Sequence, residues 1–150
     1  MSVDTMKRLF ELENIAGVKD ATANVVRVSQ QREALGTGFN QLSGEDASAL
    51  GFMAHGGHGC ISVTSNVAPR LCAEFQHACL RRDYGSALAM HDRLVPLHTA
   101  LFLETSPAPV KYALSVLGKC RETLRLPMVP VDEPTRLAVR QAMMHAGLLN

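Results

Sequence analysis

Helix-like and strand-like segments alternate through the first 66 residues, and nothing else in the chain constrains its fold as strongly. Asp4 to Leu12 reads as a short helix with Met6, Leu9 and Phe10 on one face. Ile15 to Val18 reads as a strand. Asn24 is a candidate N-cap for a helix through about Leu35, ended by Gly36 and Gly38. Phe39 to Leu42 reads as a second strand, and Ser43-Gly44-Glu45-Asp46 turns into a third helix carrying Ala47, Leu50 and Met53. His55-Gly56-Gly57-His58-Gly59 breaks that helix, and Cys60 to Val63 reads as a third strand. Such alternation predicts a parallel sheet with crossover helices, an α/β architecture. Short apolar strands are the kind found when both faces of a sheet are covered.

After Asn66 the strand signals stop. Thr64-Ser65-Asn66 offers capping side chains for a helix from Asn66 to Arg82. Tyr84 to Leu103 reads as another helix, with a bend expected at Pro96. Val110 to Leu117, ended by Gly118, gives a shorter one, and Glu133 or Pro134 opens a last helix through about His145. The intervening Arg125-Leu126-Pro127-Met128-Val129-Pro130 is too rich in proline for regular structure.

Composition narrows the function classes. Fifteen basic and 14 acidic residues leave a formal net charge of +1, without a basic stripe or an acidic tail. Nucleic-acid and membrane-surface binding therefore lack electrostatic support. No apolar run approaches the roughly 18 residues of a spanning helix, and Met1 to Thr5 does not read as a signal peptide. Cys60, Cys72, Cys79 and Cys120 form no C-x-x-C pair and lie among apolar neighbours. Buried free thiols in a reducing, cytoplasmic setting are expected, and the spacing gives a metal site little support.

Lys19 follows the first apolar run directly. A lysine at the end of a buried strand is costly to keep charged, and desolvation favours the neutral, nucleophilic amine. That is the form that attacks a ketone to give a Schiff base. By the local sequence alone, a lysine that simply opens a solvated loop is the better fit.

Five ordered segments resemble the dihydrodipicolinate synthase family of Schiff-base, pyruvate-dependent lyases. They are Gly17-Val18-Lys19-Asp20-Ala21-Thr22, Leu42-Ser43-Gly44-Glu45-Asp46, the run from Gly56 to Pro69, Glu104 to Lys111, and Leu124-Arg125-Leu126-Pro127-Met128. Their order and spacing match the family's C-terminal half. The resemblance implies the C-terminal part of a (β/α)₈ barrel, with three strands in a partial barrel over residues 1–82 and a helical extension over 83–150. It also implies that Lys19 is the Schiff-base residue, that the backbone carbonyl of Ile61 faces its amine, and that Gly44 lines the pocket. The implied substrates are pyruvate and aspartate semialdehyde, condensed to hydroxytetrahydrodipicolinate on the route to diaminopimelate and lysine. No metal or organic cofactor is implied, because the protonated imine is itself the electron sink.

The same resemblance exposes departures. An eight-stranded barrel takes about 250 residues, and this chain has 150. It lacks the family's Gly-Gly-Thr-Thr-Gly-Glu segment, and its only tyrosines, Tyr84 and Tyr112, fall in the helical extension. A truncated chain, inactive or nearly so alone, is expected. A complementing N-terminal half or a homo-oligomer (a tetramer in the family) would be its partner. Two other readings stand beside this one: a sister aldolase acting on N-acetylneuraminate or keto-deoxy sugar acids, and a non-catalytic remnant that associates with intact subunits. Among the remaining residues, His55 to Gly59 suits a tight turn better than a metal site or oxyanion hole. Asn66 suits capping, and Cys72 and Cys79 suit core packing. Asp20 and Glu45 fit pocket, loop and cap roles alike.

Overall fold

A computed structural model describes all residues, 1–150. Helix α1 (Val3–Phe10) begins at Ser2, whose Oγ accepts the Thr5 amide at 3.1 Å. Strand β1 (Gly17–Asp20), helix α2 (Val26–Leu35), strand β2 (Asn40–Ser43), helix α3 (Ala49–Ala54) and strand β3 (Gly59–Cys60) follow in the expected alternation. The strands pair in parallel in the order β1-β2-β3, with Lys19 opposite Leu42 and Ser43 opposite Cys60. Relative to the sequence reading, β1 and β2 begin later and β3 is cut to two residues. The third strand shortens because the chain turns through a 3₁₀ segment at Thr64–Asn66.

Helix α4 (Pro69–Leu80) starts three residues after the expected point. Pro69 provides the reason: its ring suits the first turn of a helix but disfavours the helical conformation in the residue before it. Ala68 accordingly sits at φ −126° and ψ 58°. Helix α5 (Tyr84–Ala100) is capped by Asp83, which accepts the Ser86 amide at 3.1 Å, and contains Pro96. Helices α6 (Ala108–Val116) and α7 (Glu133–His145) complete the chain. Gly36 closes α2 at φ +78° and Gly118 follows α6 at φ +67°, a region where a side chain would be strained.

The largest apolar cluster lies among the helices, and of the strand residues only Cys60 packs against it. Twenty-three buried residues from α3 to the C-terminal end of α7 form it, including Leu71, Phe75, Leu94, Leu97, Val139 and Met143. No residue of the three strands belongs to it. The N-terminal elements have their own smaller contacts, such as the edge-to-face pair of Phe10 and Phe39 with centroids 4.9 Å apart.

Two expectations change at the sheet. The helix-facing side is not simply apolar, since Asp20, Gln41 and Ser43 are buried there. Each is hydrogen-bonded: Gln41 Nε2, for example, donates to the Val28 carbonyl of α2 at 3.1 Å. The opposite face, which carries Lys19 and Leu42, is not covered by a helix layer, and Lys19 is exposed rather than buried. Among the thiols, Cys72 and Cys79 are buried and Cys60 is half-buried, but Cys120 is exposed.

Candidate active site

Lys19 lies within β1, one residue from its C-terminal end, rather than just beyond the strand. Strand alternation puts its side chain on the uncovered face, while Asp20 points to the helices. Asp20 fixes this orientation. Its carboxylate accepts Arg27 Nε at 2.8 Å, Gln31 Nε2 at 2.8 Å, the Thr22 amide at 3.0 Å and Thr22 Oγ1 at 2.6 Å. Burial alone would push this carboxyl upward, but the bonds from Thr22, Arg27 and Gln31 outweigh it and hold the group down at about 2. Asp20 is thus an anchor of β1 to α2, not a group facing the lysine.

Gly44 lies against the Lys19 stem. A Cβ at position 44 would come within 2.7 Å of Lys19 Cε and 2.9 Å of Ala21 Cβ. The missing side chain makes room for the lysine stem. The Gly44 amide also donates to the Asp20 carbonyl at 2.8 Å and extends the β1–β2 ladder. A Cβ at Gly17 would clash with the Asn40 backbone, so the missing side chain there serves strand pairing.

Ile61 continues β3 by one residue, with its amide bonded to the Ser43 carbonyl at 2.7 Å, and it is 46% exposed. Residues 19, 44 and 61 therefore converge on the three adjacent chain segments at the C-terminal edge of the sheet. Parallel α/β architectures place their chemistry at this end.

Behind this edge lies a polar cluster that the sequence reading missed. Asp46 is 5% exposed. It accepts the Ser62 hydroxyl, the Val63 amide at 2.9 Å and the Thr64 amide at 3.2 Å. Thr64, fully buried, has its Oγ1 2.7 Å from His98 Nδ1 of α5. Burial holds the His98 imidazole below its ordinary range, against the pull of the Asp46 carboxylate. The available signals were a histidine inside the apolar stretch Leu94 to Leu101 and an acid two residues after a turn glycine. Neither reveals its partner, because 16 and 34 residues separate the bonded groups.

Glu45 has a cap role. Its carboxylate accepts the Ala47 amide at 2.9 Å and the Ser48 amide at 2.6 Å ahead of α3. Burial would raise this acid, but the bonds from Ser48 and Ala47 bring it below the usual range. His58 and His55 also act locally: His58 Nδ1 accepts the Gln41 amide at 3.0 Å, and His55 Nδ1 lies 2.8 Å from the Gly51 carbonyl. Asn66 donates its side-chain amide to the Val63 carbonyl at 2.9 Å.

A model of the Dihydrodipicolinate synthetase family matches residues 1–146. The chain belongs to that family. It is 73% identical over 150 residues to a 4-hydroxy-tetrahydrodipicolinate synthase of Bradyrhizobium diazoefficiens, covering all of this chain and 51% of that protein. A second synthase, from Afipia carboxidovorans, is also 73% identical with the same coverage. The solved structure of the chloride-inhibited dihydrodipicolinate synthase from Acinetobacter baumannii, complexed with pyruvate, superposes with a TM-score of 0.94 at 38% identity. That match covers 99% of this chain and 51% of the other. The Aquifex aeolicus enzyme gives 0.93 at 40% identity, covering 98% and 50%. The chain spans about half the length of the relatives it matches, and its fold is the C-terminal part of a (β/α)₈ barrel followed by a helical extension.

Proposed function

We propose that this chain carries the Schiff-base half of a 4-hydroxy-tetrahydrodipicolinate synthase. The observation that carries the reading is Lys19, an exposed amine on the uncovered face of β1 with Gly44 making room for its stem. In this reading Nζ attacks the ketone of pyruvate, and loss of water leaves an imine. Removal of a methyl proton gives the enamine, whose carbon adds to the aldehyde of aspartate semialdehyde. The Ile61 carbonyl faces the amine and Gly44 lines the pyruvate pocket. The synthase names of the relatives favour aspartate semialdehyde over a sugar-acid aldehyde as acceptor.

The chain alone is inactive or nearly so in turnover. Absence of a positioned proton relay typically costs 10²–10⁴-fold, and three strands leave both sheet edges unpaired. A complementing N-terminal half would pair with those edges and cover the face that bears Lys19. Exposed Leu88, Phe102, Leu103, Leu137 and Met144 support association through the helical extension, including as a homo-oligomer. A cytoplasmic location belongs to the same proposal, in keeping with the free thiols.

The test is reductive trapping. The chain is incubated with pyruvate and borohydride, alone and together with the N-terminal half of a relative, and its peptides are weighed. A carboxyethyl group on Lys19, absent from K19A, is expected in both settings, with turnover only in the second. Failure to label Lys19 in either setting overturns the reading.

A further inference from the structure

We infer that Asp46 is a positioning residue for the Lys19 site. Its carboxylate clamps the chain leaving β3 and joins it, through Thr64 and His98, to the helical extension. This inference rests on the Schiff-base reading and adds a residue and a route to it.

The geometry supplies a continuous chain of contacts. Gly44 packs on the Lys19 stem, and Asp46 lies two residues on. The carboxylate then receives three donors from consecutive residues, Ser62, Val63 and Thr64. Ile61 immediately precedes them and is tied on its other side to the Ser43 carbonyl at 2.7 Å. Its backbone is thus held from both directions, by a ladder bond upstream and the carboxylate clamp downstream. Ser62 adds a further restraint, since its Oγ accepts the Ser65 amide at 2.8 Å and closes the turn. Thr64 carries the clamp to α5 through its 2.7 Å contact with His98.

A two-residue strand cannot fix the direction of its own exit by ladder bonds alone. Bonds to an ionised acceptor are stronger than neutral ones, and their loss leaves buried donors unpaired. The clamp's burial increases that effect: Asp46 and His98 are each 5% exposed and Thr64 is 0% exposed. The helical extension therefore helps set where the Ile61 carbonyl sits relative to the amine.

The experiment combines amide hydrogen exchange with pyruvate trapping on the 150-residue chain. D46N is the main variant. S62A removes the hydroxyl's bonds to Asp46 and to the Ser65 amide, T64V removes the bond to His98, and both keep the carboxylate, so they decide the matter where D46N fails to fold. In D46N, exchange at Val63 and Thr64 should accelerate roughly 10- to 100-fold, the range for losing a bond to a charged acceptor. In S62A and T64V the same two amides keep their acceptor and should accelerate by only about 3- to 10-fold as the clamp loosens. The Gly44 amide, bonded to Asp20, should change by less than about twofold, since it has no bond to the clamp. Trapping at Lys19 should slow at saturating pyruvate, with the half-saturating concentration little altered. Uniform acceleration of all amides, unchanged protection at Val63 and Thr64, or normal trapping after that protection is lost would each overturn the inference. A wild-type chain that never labels Lys19 refutes the Schiff-base reading and the positioning role with it, while the exchange pattern still decides the clamp.

Discussion

Asp20 offers the most quantitative test of how β1 is held. Its ordinary carboxyl value of 3.8 falls to about 2 in the folded chain. At roughly 1.4 kcal/mol per unit, this shift corresponds to about 2.5 kcal/mol of stability. The sign follows from proton binding. Between the two values the unfolded chain binds more protons than the folded one, so stability rises with pH there. The contribution is complete above about pH 5 and declines as pH falls through the folded value, with about 1 kcal/mol lost by pH 3 and about 2 by pH 2. D20N removes the titration and leaves Arg27, whose side chain is 17% exposed, without its ion-pair partner. It should lower stability by about 3 kcal/mol at pH 7, the low end for breaking a buried pair. The assay is urea unfolding followed by circular dichroism, for both proteins at matched pH from 7 to 3. Other carboxylates titrate in both and cancel in the difference. The gap between wild type and D20N should narrow by about 1 kcal/mol over that range. A gap that stays constant with pH, or widens as pH falls, would refute the claim that hydrogen bonds to an ionised Asp20 anchor the strand.

Two further outcomes follow from the site and the core. G44V should abolish reductive trapping at Lys19 and lower the thermal midpoint, because even a Cβ would lie 2.7 Å from Lys19 Cε and 2.9 Å from the rigid Ala21 Cβ; unimpaired labelling would show that the lysine stem has room elsewhere. Burial pushes the Cys60 thiol up to about 12 and the Cys72 thiol to about 11, so iodoacetamide at pH 8 should label exposed Cys120 at least about 100-fold faster than either. Equal labelling in a peptide-mapped time course would contradict that burial.

Much of the fold is legible from local chemistry. Ser2 and Asp132 cap helices that their neighbours' periodicity already suggests, and Gly36 and Gly118 end helices where a positive φ is required. The boundaries of β3 and α4 are harder to read. Val63 and Ile61 have strand-forming side chains, yet the carboxylate of Asp46 takes the Val63 amide that a longer ladder would have used. Pro69 then delays the helix that Thr64 to Asn66 would otherwise cap. In both cases a nearby group competes successfully for the backbone.

The candidate site divides in the same way. The sequence by itself determined the alternation of strand and helix and the position of Lys19 next to the first strand. These depend on residue type, period and order, which a linear chain displays directly. Only the tertiary structure decided that Asp20 faces away from the lysine and that Lys19 is exposed. It alone showed that Asp46 gathers Ser62, Val63, Thr64 and, through Thr64, His98. The physical reason is that burial and hydrogen-bond partners are properties of packed surfaces. A carboxylate's role depends on which donors the fold brings to it, and here those donors come from segments distant in the chain.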